Sequence, residues 1–145
     1  MKALCIVLLA WGVARPALAF DPAGLLGTWR YEKDTFIASG VIYTIFSQGG
    51  LCIQVAKVSI AGTTQWATNR CSWTVAQSVL SIKVTGSVTT PKNVGTLTSV
   101  TLDSLSSDAF SISKDGDRQE WTRAQGVPEE YEVKLALERA AGASD

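Results

Sequence analysis

The chain has 145 residues, the size of one domain, with 46% hydrophobic and 18% charged residues and 13 basic side chains balanced by 13 acidic ones. This composition excludes a disordered chain and leaves no net field to draw the protein to nucleic acid. Histidine is absent, which removes Ser-His-Asp and Cys-His catalysis and histidine metal sites together.

Residues 1–19 follow the three-part pattern of a secretory signal. Lys2 supplies a positive start, residues 3–14 form an apolar run, Pro16 breaks it, and Ala17-Leu18-Ala19 is an A-x-A cleavage site. The run falls short of the ~20 residues needed to span a bilayer, and no second hydrophobic span follows. The expected mature protein begins at Phe20, after cleavage at Ala19-Phe20. It has no membrane span and is periplasmic or secreted. Loss of Lys2 and Arg15 leaves it slightly acidic.

Cys5 departs with the signal, so the mature chain keeps Cys52 and Cys71. An even count in an exported protein favours a disulfide. Strand-like runs at 51–60 and 66–75 flank Ala61-Gly62-Thr63-Thr64, and the midpoint between the cysteines falls between Ala61 and Gly62. A hairpin folded there sets the cysteines directly opposite each other. Cross-strand Cβ atoms lie ~4.5–5.5 Å apart, so a small closure forms the bond.

Strand signals recur with turn residues between them at 26–33, 41–47, 51–60, 66–75, 79–85, 96–103, 109–114 and 118–123. Asp115-Gly116 is a tight-hairpin dipeptide. In the fifth run, Leu80, Ile82 and Val84 alternate with Ser81, Lys83 and Thr85. No helical periodicity interrupts the series, which argues against a parallel α/β sheet. The predicted fold class is all-β: an eight-stranded antiparallel up-and-down β-barrel, whose closure removes exposed sheet edges.

The same alternation predicts the inward face. It carries Trp29, Tyr31, Phe46, Ala56, Val58, Ile60, Ala67, Trp73, Val75, Val100, Leu102, Phe110, Ile112 and Trp121. Gln54 and Asn69 fall opposite each other on this face and need partners there, most simply each other. The opposite face of that hairpin holds Ile53, Val55 and Trp66, which need a cover. The tail supplies one. Val127-Pro128-Glu129-Glu130 reads as a helix entry, and the helix is expected over 129–141. Tyr131, Leu135 and Glu138 form one stripe; Val133, Leu137 and Ala140 form the next. The tail has five acidic against two basic residues. Serine and threonine crowd residues 85–113, including Thr89-Thr90-Pro91-Lys92-Asn93. We read them as strand and turn chemistry rather than a polar binding loop. The predicted organisation is a signal at 1–19, a barrel at 20–126, and a C-terminal helix and tail at 127–145.

Leu26-Gly27-Thr28-Trp29 opens the first strand and Glu120-Trp121-Thr122-Arg123 ends the last. This arrangement resembles the lipocalin and calycin superfamily, whose first strand carries Gly-x-Trp and whose late arginine packs over that tryptophan at the closed end. Gly27 and Trp29 match the motif, and Arg123 takes the arginine's place, so these three residues are the expected barrel closure. Phe46-Ser47-Gln48-Gly49-Gly50 is similar to a Phe-x-x-x-Gly turn of small bacterial lipocalin-like domains. Cys71-Ser72-Trp73-Thr74-Val75, followed by Val79-Leu80-Ser81-Ile82, is similar to their middle hairpin. The resemblance spans about residues 25–123.

It implies an exported binding protein for a small hydrophobic ligand, not an enzyme, with no cofactor and no metal. Trp29, Tyr31, Trp73, Phe110 and Trp121 would line an apolar cavity, with Gln54 or Asn69 fixing the ligand's orientation. A second reading is a protein–protein module such as an exported protease inhibitor. Only residues 34–40 join the first two strands, where lipocalins carry a large lid loop, and a barrel this small can be filled by its own side chains. In that case the trunk Phe20-Asp21-Pro22-Ala23 would enter the protease cleft. Glu32 and Asp34, beside Lys33, read as a solvated rim rather than a catalytic pair.

Export and oxidation predict one intact mass. Under non-reducing conditions the exported protein should weigh as a chain starting at Phe20, two hydrogens lighter than the dithiol. Two thiols open to alkylation, or a retained N-terminal segment, would contradict this.

Overall fold

The computed structural model describes residues 20–145, and the expected export signal at 1–19 lies outside the described residues. The strands are β1 (Gly27–Asp34), β2 (Ala38–Ser47), β3 (Leu51–Ile60), β4 (Thr63–Ala76), β5 (Val79–Gly86), β6 (Leu97–Leu105), β7 (Ala109–Lys114) and β8 (Asp117–Arg123). Each pairs antiparallel with its chain neighbours, and β8 returns to β1 to close the barrel. A helix, α1 (Glu129–Gly142), follows. The up-and-down path sends the β1–β2, β3–β4, β5–β6 and β7–β8 connections to one end, the mouth. The other connections lie at the floor, together with a 3-10 turn at Pro22–Leu25.

Local chemistry sets the turns. Ala61 and Gly62 have φ of 49° and 81°, and Asp115 and Gly116 have 51° and 82°. Two positive φ values in succession match the right-handed twist of the flanking strands. Because Ala61-Gly62 completes the turn alone, β4 begins at Thr63 rather than near Trp66. Thr63 and Thr64 pair with Ile60 and Ser59. β2 likewise begins at Ala38, three residues earlier than its sequence signal. The Thr35 hydroxyl accepts from Ala38 N at 3.1 Å and donates to Ala38 O at 2.8 Å, which tightens the first hairpin to three residues.

Cys52 and Cys71 are register partners and form the disulfide, with Cα atoms 4.8 Å apart. For a loop of this length, cross-linking stabilises the fold by roughly 3 kcal/mol through restriction of the unfolded chain.

Two apolar clusters divide the molecule. One fills the lower barrel with Leu25, Trp29, Phe46, Trp73, Leu102 and Phe110. The other lies outside the wall, where Tyr131 and Leu135 of α1 cover Tyr43 and Val55, with Ile53 and Trp66 packed beside them. The Tyr131 ring meets Tyr43 edge-on at 4.9 Å and Trp66 at 5.0 Å. Burial there pushes the Tyr131 phenol above its ordinary pKa. Of the two helical stripes, only Tyr131, Leu135 and Glu138 are buried, while Val133 and Leu137 stay exposed.

Glu138 is a fully buried carboxylate on the apolar stripe. It accepts from Thr68 Oγ1 at 2.6 Å, Val88 N at 2.8 Å and Arg70 Nε at 3.1 Å. A buried charge is tolerated when a countercharge and further donors meet it, and here they come from β4 and the β5–β6 loop. That loop also completes β4 beyond its last pairing with β5, at Arg70 and Gly86. Ser87 Oγ donates to Thr68 O at 2.5 Å, and Thr68 N donates to Thr89 Oγ1 at 2.7 Å. The hydroxyls of this Ser/Thr-rich stretch thus substitute for missing strand partners.

Candidate functional site

The two ends of the barrel have different chemistry. At the floor, Trp29 is fully buried and its Nε1 donates to Leu25 O at 2.7 Å. Trp29 and Arg123 are register partners across the β1–β8 seam, and the guanidinium carbon lies 4.1 Å from the Trp29 ring centroid. The same guanidinium donates to Leu26 O at 2.8 Å, to Gly24 O at 3.1 Å and to Ser107 O. It therefore stacks on the indole while collecting carbonyls from the 3-10 turn and the β6–β7 loop. Gly27 is required here for two reasons. Its φ is +115°, and a Cβ would sit 2.6 Å from Arg123 Nη1; side chains rarely adopt such a φ.

The aromatic residues expected to line a ligand cavity separate by depth. Trp29, Trp73 and Phe110 pack into the floor. Trp29 meets Phe110 at 4.8 Å and Phe46 meets Trp73 at 5.2 Å. The Trp73 indole donates to Leu51 O at 2.9 Å. Phe46 bridges them, lying 6.5 Å from Phe110, so these rings form one packed cluster at the base of the interior.

The mouth half is open. A cavity of about 480 Å³ lies between Ile82, Val84, Val100 and Ile112, with Gln54, Thr98, Gln119 and Trp121 also in its wall. Lys114, Asp115 and Asp117, at the tip of the β7–β8 hairpin, stand on its rim. A second recess of about 290 Å³ is bordered by Tyr31, Ile42 and Val58. Tyr31 and Trp121 stack at 5.2 Å and 27° where the two spaces adjoin. The larger cavity falls within the ~300–1,000 Å³ typical of small-molecule sites.

Gln54 and Asn69 stand opposite each other in register, but each amide bonds elsewhere. Gln54 Nε2 donates to the buried Thr44 hydroxyl at 3.1 Å, and Asn69 Oδ1 accepts from Thr90 Oγ1 at 3.4 Å. Gln54 thus borders the cavity, while Asn69 is drawn to the β5–β6 loop. Trp121 Nε1 is buried, and no group among the described residues accepts from it.

Ile82, Val84, Thr98 and Gln119 line the cavity without having been singled out as site residues. The signal for them was present. Ile82 and Val84 share the alternating face of β5, Thr98 is two residues from Val100, and Gln119 is two from Trp121.

No family model and no curated protein matches the chain. Among solved structures, it is similar to a lipocalin-like protein from Bacteroides uniformis ATCC 8492. The identity is 11% and the TM-score 0.48, over 70% of this chain and 99% of that one.

The closed end predicts a graded response. Arg123→Ala should cost about 1–3 kcal/mol in denaturant unfolding, because stacking and three carbonyl contacts go together. Arg123→Lys should cost less, keeping charge but not the planar fork. Equal stability of all three proteins would contradict the clamp.

Proposed function

We propose that the protein is an exported, non-enzymatic binder of a small, largely apolar molecule, held in the mouth half of the barrel. One observation carries this reading: a cavity of about 480 Å³ with four aliphatic walls lies above an aromatic floor already filled by the protein. A ligand that buries ~200 Å² of apolar surface, its own and the wall's together, gains about 5 kcal/mol from burial, before the costs of association. The Cys52–Cys71 bond supports an oxidising, extracytoplasmic location.

The trunk expected to enter a protease cleft is used differently. Phe20 packs against the barrel core, Asp21 Oδ1 accepts from Ala23 N at 3.0 Å, and the segment leads into the buried Leu25. This supports the small-molecule reading over insertion of the trunk into a protein partner.

Ethylnaphthalene is a suitable first probe, being apolar and small enough for the cavity. Titration should change the intrinsic tryptophan fluorescence with saturation. Val100→Phe, which adds a ring inside the cavity, should weaken binding at least ~10-fold, a loss of about 1.4 kcal/mol. Leu137→Ala, on the exposed face of α1, should leave it unchanged. No saturable response in the wild type would contradict this function.

A further inference from the structure

The barrel holds three buried indoles on its inner face, and they differ in one respect. Trp29 Nε1 donates to Leu25 O at 2.7 Å, and Trp73 Nε1 donates to Leu51 O at 2.9 Å. Trp121 is only 7% exposed, yet its Nε1 has no acceptor among the described residues. Buried donors are almost always paired, by protein, ordered water or ligand.

The ring cannot easily turn to find a protein partner. Phe110 stacks on it at 5.6 Å and 7°, and Tyr31 stacks on it at 5.2 Å and 27°. Its backbone is held in register with Phe110. The donor is therefore fixed in place on a side chain that borders the open cavity.

We propose that the ligand carries a neutral hydrogen-bond acceptor, and that the buried indole N–H of Trp121, a side chain bordering the mouth cavity, is the donor that receives it. This deepens the function proposed above and rests on it. Neutrality follows from where the charges lie. Lys114, Asp115 and Asp117 are exposed on the rim, whereas the rest of the wall carries no charge: Ile82, Val84, Val100 and Ile112 are aliphatic, and Gln54, Thr98, Ser113 and Gln119 are neutral. An ion placed against that wall would lose its hydration with no countercharge at depth. A carbonyl, ester or ether oxygen, or a pyridine-type nitrogen, loses far less and gains the N–H. The ligand class is thus an apolar frame with one such acceptor, oriented by Trp121 rather than by a salt bridge.

Two probes of matched shape test this, acetylnaphthalene with a ketone oxygen and ethylnaphthalene without one. Calorimetric affinities are measured for wild type and for Trp121→Phe, which retains a ring for the stack but lacks the donor. The hydrocarbon arm absorbs any change in packing. The ketone should lose about 5–10-fold more affinity than the hydrocarbon on substitution. Should the variant not fold, the wild-type indole proton resonance of Trp121 decides: it should move downfield with the ketone and not with the hydrocarbon. Equal losses for both probes, or an indole proton indifferent to the ketone, would overturn the proposal while leaving apolar binding intact. Failure of both probes to bind wild type would instead overturn the binding function, and this proposal with it.

Discussion

The guanidinium of Arg123 lying on the indole of Trp29 joins the last strand to the first, and the interior is organised around that contact. The β1–β8 seam has two register pairs, Trp29 with Arg123 and Arg30 with Thr122. So short a ladder is a weak closure by itself. The clamp adds cation–π stacking, on the order of 0.5–2 kcal/mol, and three carbonyl contacts that tie in the 3-10 turn and the β6–β7 loop. Gly27 permits the close approach. Once Trp29 is fixed there, Phe110 packs edge-on against it and Phe46 and Trp73 follow. The floor fills, and the free volume is left at the mouth.

A second constraint acts from outside the wall. Glu138 draws α1, β4 and the β5–β6 loop to one buried carboxylate. Arg70, which supplies the countercharge, also bonds Asp145 at 2.7 Å. Helix docking and the shape of one mouth loop therefore share a single polar hub, while Tyr131 and Leu135 supply the apolar contact area. Both constraints have the same consequence. They tie together elements around the cavity without placing their own side chains in it.

Much of this was legible in the sequence, where the governing physics is local. The period-2 alternation and turn dipeptides marked eight strands, and the midpoint of the Cys52–Cys71 spacing set the register of the β3–β4 hairpin. Boundaries failed where turn chemistry is subtler. Thr63 and Thr64 continue a strand although they sit beside Ala61-Gly62, and the Thr35 hydroxyl shortens the first hairpin. The depth of each inward residue was not legible. Trp29, Trp73 and Phe110 share the inner face with Trp121, and alternation treats them alike. Only packing between β1, β2, β4 and β7, remote in sequence, places the first three in the floor. The partners of Gln54 and Asn69 were hidden for the same reason, since Thr44 and Thr90 reach them from other elements. Glu138 was visible as a carboxylate on an apolar stripe, but its three donors were not.

Native-state hydrogen exchange on Arg123→Ala tests the central claim most directly. If closure depends on this clamp, the amides of β1 and β8 around Trp29, Arg30, Thr122 and Arg123 should lose protection by a further ~10-fold or more. That loss should stand out against amides of the disulfide-linked β3–β4 hairpin, because the seam opens before the rest unfolds. The same loss of protection in every strand, or none at the seam, would show that the barrel closes by other means.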